Sequence, residues 1–228
     1  MSVKADTSAV GATSKRPLRA DAERNRRRII DAARELFAHR GTDITLDDVA
    51  AHAKVGVGTV YRRFSCKEEL IDGVFEQRLE GMLASAHAAL DADDAWDGLV
   101  GFLERLCDGI SGDRGLNDVI MGTDEGCEGI ARVREQLDPF VQQIVLRARE
   151  SGALRPDIEV NDFYALIGMV GAAAEFTCKV GPTNWRRYFL ILLDGLRADS
   201  GSLSPLPGRA LTADEVVEAK AAHHRRRR

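Results

Sequence analysis

A chain of 228 residues can bury a substantial core, and 44% hydrophobic and 30% charged residues with a formal net charge of −4 describe an ordinary water-borne protein. No apolar run approaches the roughly 20 residues that span a bilayer, residues 1–20 lack the apolar stretch of a secretory signal, and Cys66, Cys107, Cys127 and Cys178 form no C-x-x-C pair. A membrane span, export, a zinc module and a disulfide framework are therefore not expected; the cysteines read as reduced, structural thiols of a cytoplasmic protein.

Along the chain, residues 1–20 are polar and read as a disordered arm. Over 25–39, Ile29, Ile30, Ala33, Leu36 and Phe37 recur at helical spacing, with Gly41 as a stop signal. Thr45 and Asp48 have the spacing of a capping box at the head of a short second helix that runs to about Ala53. A turn at Lys54-Val55-Gly56 leads to a third short helix over 57–64. Ser65 and Glu68 form the next box, opening a long helix over 67–90. Helical period continues over 96–110, 117–121, 130–150, 162–178 and 183–198, broken by polar, glycine-rich stretches at 111–115 and 122–129. The acidic run at 124–128 lacks metal-ligand spacing and reads as a solvated loop. Residues 200–207 read as loop, Thr212 to Glu215 as the cap of a last helix, and the terminal arginines as mobile. No segment before residue 90 alternates with period two. The expectation is an all-α protein: an arm (1–20), a three-helix helix-turn-helix domain (21–66), a larger helical domain (67–200) and a tail (201–228).

Charge is unevenly divided. Residues 1–40 hold 10 Lys and Arg against 5 Asp and Glu, a net of +5, whereas residues 81–200 hold 11 against 20, a net of −9. A basic head on an acidic body suits nucleic-acid binding, because salt screens the body's charge within about 8 Å. Residues 45–64 supply the two short helices and tight turn that major-groove binding requires. Val49, Ala50, Val55 and Val60, flanked by Leu46 and Phe64, fix the angle, while Thr59, Tyr61 and Arg63 offer hydrogen bonds to phosphates or base edges.

The pieces Ile44-Thr45-Leu46-Asp47-Asp48-Val49-Ala50, Gly58-Thr59-Val60-Tyr61-Arg62-Arg63-Phe64 and Lys67-Glu68-Glu69-Leu70, in that order and spacing, resemble the TetR family of bacterial repressors over about residues 24–79. The resemblance implies that Thr45 caps the second helix and touches a phosphate, that Thr59 and Tyr61 contact backbone or bases, and that Lys67 reaches a phosphate. Lys54 departs from the family's usual turn glycine, which calls for a non-glycine residue at positive φ, and Gly56 stands where a capping serine is common. Base reading falls to Val57, Gly58, Thr59 and Arg63, with Arg63 directed at guanine and Val57 at thymine methyl groups; Arg62 completes the set. Arg24, Arg26, Arg27 and Arg28 read either as phosphate or minor-groove contacts or as a solvated run.

The resemblance further implies a second domain with a ligand cavity and a dimer interface made by the last two long helices. Phe102, Leu106, Met121, Phe140, Ile144, Met169 and Phe176 are the candidate lining, suited to an apolar or aromatic effector without cofactor or metal. Phe163, Ile167, Val170, Tyr188, Phe189, Leu192 and Leu196 are the candidate dimer contacts, since a twofold protein sets two recognition helices one DNA turn apart. The expected function is a ligand-responsive repressor that binds a palindromic operator as a homodimer. Activation, ligand-independent DNA binding, and a helical enzyme or interaction module are the alternatives. The enzyme reading finds no G-x-S-x-G, H-E-x-x-H, phosphate loop or complete dinucleotide fingerprint.

Overall fold

The computed structural model describes residues 15–122, 127–198 and 204–227. Among these residues the chain forms α1 (Lys15–Arg40), α2 (Leu46–Ala53), α3 (Val57–Tyr61), α4 (Lys67–Leu90), α5 (Ala95–Ser111), α6 (Arg114–Met121), α7 (Glu128–Glu150), α8 (Asp162–Thr177), α9 (Trp185–Leu196) and α10 (Ala213–Arg227). A lone antiparallel bridge, Leu154 to Arg197, is the only extended pairing there. No helix among the described residues is long and apolar enough to cross a membrane.

Side-chain caps set several of the helix starts. Thr45 Oγ1 accepts the Asp48 N–H at 3.1 Å while Asp48 Oδ2 accepts the Thr45 N–H at 2.9 Å, which fixes the start of α2. Its end is set at Lys54, in the left-handed conformation the missing glycine called for (φ 54°, ψ 46°). Arg28 Nη2 donates to the Ala53 carbonyl at 2.9 Å, satisfying an acceptor that the helix end leaves open. Before α4 the box slips by one residue. Ser65 donates its N–H and hydroxyl to Glu69 (2.7 and 2.9 Å) rather than to Glu68, and Cys66 occupies the cap position without a side-chain bond.

Three further boundaries depart from the periodicity. Helix α3 stops at Tyr61 instead of 64, because Phe64 turns inward to bury its ring beside Gly73, with its N–H still on the Val60 carbonyl. Helix α6 begins at Arg114 instead of 117, since Asp113, inside the expected break, is its cap and accepts the Leu116 N–H at 2.9 Å. Helix α1 begins at Lys15; residues 1–14 of the expected arm, and 123–126 of the expected acidic loop, lie outside the described residues.

One set of contacts braces the body and another joins it to the head. Asp72 of α4 accepts the first N–H groups of α7, from Gly129 (2.9 Å) and Ile130 (3.0 Å), and Arg147 of α7 donates to the carbonyls of Ala89 and Leu90 at the other end of α4. Helix α6 meets α1 and α4 at Gly115, where an added Cβ would stand 2.7 Å from Phe37 Cβ and 2.8 Å from the Phe75 ring, both side chains fully buried. Gly115→Ala is expected to lower stability by about 2 kcal/mol through overpacking, as read by urea unfolding; an unchanged midpoint would mean that the three helices separate freely.

Asp48 and Glu69 are held below the usual carboxylate range, Asp48 first by the Thr45 backbone N–H and hydroxyl and then by Arg40, Glu69 by the Ser65 N–H and hydroxyl and then by Arg26. A depressed folded pKa contributes stability that is present above the unfolded value near 4 and is lost as pH falls through the folded one. Acid titration of stability below about pH 4 should therefore be shallower in Asp48→Asn/Glu69→Gln than in the parent, and identical acid limbs would remove these caps from the account.

Candidate nucleic-acid interface and internal cavity

The angle between α2 and α3 is set from inside. Leu46, Val49, Ala50, Ala53, Val60 and Phe64 are buried, and Val55 packs at the edge of the same cluster. The opposite face of α3 is open: Val57, Gly58, Tyr61, Arg62 and Arg63 are exposed, while Thr59 and Lys67 are half-buried beside them. A Cβ added at Gly58 would meet nothing within 4 Å, so the first turn of α3 presents bare backbone to solvent. Arg62 Nη2 lies 3.3 Å from Thr59 Oγ1 on the same strip. Gly56 caps α3 with no side-chain bond, although its carbonyl accepts the Thr59 N–H at 2.7 Å, so the N–H groups of Val57 and Gly58 start the helix without a side-chain cap.

Thr45 sits at the edge of this face with its donors engaged: both its N–H and its hydroxyl point to Asp48 Oδ2 at 2.9 Å. Arg28, one of the four front arginines, is tied to the Ala53 carbonyl. Of the thiols, Cys107 and Cys127 are buried, and burial followed by the nearby Glu104 charge pushes Cys107 up to about 12, so it stays protonated. Cys66 and Cys178 are exposed, which corrects the reading of all four as packed, structural thiols.

Behind the head lies an apolar cavity of about 520 Å³, walled by α4, α5, α7, α8 and α10 with the end of α6. Its size falls in the usual range for small-molecule sites. Phe102, Leu106 and Ile144 stand in its wall; four other candidates do not. Met121 packs beside Gly168, and Phe140 packs against His87 with the rings tilted and their centres 4.3 Å apart. Met169 and Phe176, at 61% and 86% exposure, are on the outside.

The candidate dimer residues sort the other way. Phe163 and Ile167 face the cavity, and Val170, Phe189 and Leu196 are buried in the chain's own core. Only Tyr188, exposed, and Leu192, half-buried, lie near the surface. The outward apolar side of α8 and α9 is made instead by Met169, Phe176, Leu190 and Ile191. The run Tyr188-Phe189-Leu190-Ile191-Leu192-Leu193 is apolar on every side, so periodicity marks it as covered all round without telling the inner face from the outer. The wall supplied by α10, Ala213, Val216 and Lys220, has helical spacing, but an alanine and a lysine among the three keep it from reading as an apolar stripe.

Residues 29–74 match the family described as bacterial regulatory proteins of the tetR family, and residues 94–198 match the C-terminal domain of SbtR-like transcriptional regulators. The chain is 38% identical over 82 residues to the HTH-type transcriptional regulator SrpR of Pseudomonas putida, covering 36% of this chain and 38% of that protein. It thus spans about two fifths of that relative's length. It is 27% identical over 146 residues to the HTH-type transcriptional regulator UidR of Escherichia coli K12, covering 62% of this chain and 74% of that one. The solved ketosteroid transcriptional regulator of Mycobacterium tuberculosis superposes with a TM-score of 0.57 at 22% identity, covering 75% of this chain and 94% of that one, a likeness of fold. With its helix-turn-helix under the first match and its helical body under the second, the chain belongs to the TetR family of bacterial transcriptional regulators.

Proposed function

We propose that the protein is a dimeric transcriptional repressor of the bacterial cytoplasm, which holds a palindromic operator with two copies of α2 and α3 and releases it when a small, largely apolar molecule fills the cavity. The observation that carries this reading is that the same two helices touch both places. Helix α4 packs Gly73 against Phe64 of the head and, two turns on, puts Leu79 and Met82 in the cavity wall. Helix α6 puts Ile120 in that wall and, from Asp118, accepts the Thr42 N–H at 3.0 Å in the loop between α1 and α2. A ligand that prefers one placement of α4 and α6 thereby prefers one placement of the head.

On DNA, Tyr61, Thr59 and Lys67 take phosphates, and bare backbone at Gly58 admits the closest approach. Arg63 reads a guanine and Val57 a thymine methyl. Thr45 must exchange one of its bonds to Asp48 to reach a phosphate, which makes it a weaker contributor than Lys67. The twofold contact forms on the outward side of α8 and α9, through Met169, Phe176, Leu190 and Ile191, because an exposed apolar patch of that kind is stable when covered.

Selection from a random DNA pool should recover a near-palindrome with the parent protein and nothing with Tyr61→Ala. Failure of the parent to enrich any sequence would sink the repressor reading. Lys67→Ala should weaken all sequences alike, whereas Arg63→Ala should relax preference at one base pair by about 1–3 kcal/mol. Leu190→Glu/Ile191→Glu should run as a monomer in light scattering and lose the palindrome; a dimer that persists would move the interface elsewhere.

A further inference from the structure

A second, smaller cleft lies back to back with the cavity. It encloses about 200 Å³ between α4 and α5, and Met82, Phe102 and Leu106 line both spaces. Leu116 of α6, which is buried, forms its floor, and the residues around the opening are small: Gly81 and Ser85 on α4 and Gly109 on α5. A Cβ added at Gly81 would meet nothing within 4 Å, so that side of the rim is open to solvent.

The same wall contains two arginines, Arg78 and Arg105, and no carboxylate among its described residues. Such a balance stands out in a body whose residues 81–200 carry a net of −9. The two cations differ in what holds them. Arg78 is half-buried and paired with Asp113, the cap of α6. Arg105 is exposed and has no ion pair or hydrogen bond among the described residues. Its acidic neighbours on α5, Glu104 and Asp108, are turned instead to Arg186 of α9, at 3.7 and 2.8 Å. The Arg105 guanidinium lies near Gly101, where an added Cβ would stand 3.9 Å from Nη2, and the unrestrained side chain can turn from there over the cleft it lines.

Volume sets the size of an occupant. A cavity of roughly 150 Å³ holds one benzene ring, whereas sites for drug-sized ligands start at about 300 Å³. A cleft of about 200 Å³ therefore suits a single ring with one substituent.

We infer that this cleft is a second small-molecule site, separate from the larger cavity, and that it takes a single-ring carboxylate. The ring packs among Met82, Phe102, Leu106 and Leu116, and the carboxylate accepts two parallel hydrogen bonds from the Arg105 guanidinium at the rim.

Fluorine NMR of the full-length protein with 4-fluorobenzoate and 4-fluorobenzamide tests this, since the two compounds share a ring and differ in charge. 4-Fluorobenzoate should bind with an at least tenfold lower Kd. Arg105→Met keeps the apolar stem and should bring the two Kd values to within about threefold. Ser85→Leu fills the cleft, leaves both arginines in place and should weaken both compounds at least tenfold. Equal binding of the two compounds by the parent, binding of neither, or an unchanged ratio in Arg105→Met would overturn the carboxylate assignment. Unaltered binding in Ser85→Leu would overturn the cleft as the site, and a ligand held in the larger cavity instead would respond to neither variant.

Discussion

Head and body press closest at a spot where there is no room for a methyl group. Phe37 of α1, Phe75 of α4 and Gly115 of α6 meet with the two rings 5.6 Å apart and the glycine pressed between side chain and backbone. A junction this tight behaves as a hinge only if all three helices move together, since close-packed interiors shift between discrete arrangements and do not deform smoothly. The rest of the architecture is consistent with that demand. Asp113 starts α6 and pairs with Arg78 of α4, and Asp118 near its end holds the Thr42 N–H of the head. Helix α6 is thus pinned at its start to α4 and near its end to the head, with its last turn in the cavity wall.

Charge is used sparingly at the interface. The front of the chain is basic, but several of its cations already have work within the fold: Arg28 closes the end of α2, Arg40 lies 3.6 Å from Asp48, and Arg34 sits beside Asp31. Exposed pairs of this kind contribute little to stability. On the proposed reading their effect on recognition is larger: they lower the local positive potential, which would leave orientation to exposed or half-buried groups on and next to α3, such as Tyr61, Arg62, Arg63 and Lys67.

What was legible in the sequence follows from how local each signal is. Capping at Thr45, the left-handed Lys54 and the bounds of α4 depend on a few adjacent residues and could be read directly. The length of α3 could not, since it ends early to bury Phe64 against Gly73, a contact formed across the fold. Asp113 was hidden among the polar residues of an expected loop, although an Asp before a helix is itself a cap signal. The body was read least well for a single physical reason. A helix apolar on nearly all sides, such as α8, has two candidate faces, and only the packing of its neighbours decides which one lines a core and which one is left outward. The same ambiguity put Met169 and Phe176 in the cavity and Phe163 and Ile167 on the surface, when each pair lies in the other place.

On the proposed release by a small molecule, energetics narrow the kind of ligand contact that matters. A ligand shifts the head only by the difference in its affinity for two arrangements, and moving a population from 1:99 to 99:1 takes about 5.5 kcal/mol. At about 25 cal/mol per Å², apolar contact alone would need roughly 200 Å² more burial in one arrangement than in the other. Rotamer adjustments inside a cavity of about 520 Å³ do not supply such a difference; displacement of a whole helix does. A hydrogen bond to a buried charge that forms in one arrangement and breaks in the other is worth roughly 1.5–3 kcal/mol by itself. Helix α10 is reached by a segment that Arg155 and Asn161 of the body hold at the Ser204 and Leu211 carbonyls, and its Ala213 and Val216 share the cavity wall with Ile120 of α6. On the proposed reading, a ligand therefore shifts the head to the extent that it fits one arrangement of α4 and α6 better than the other.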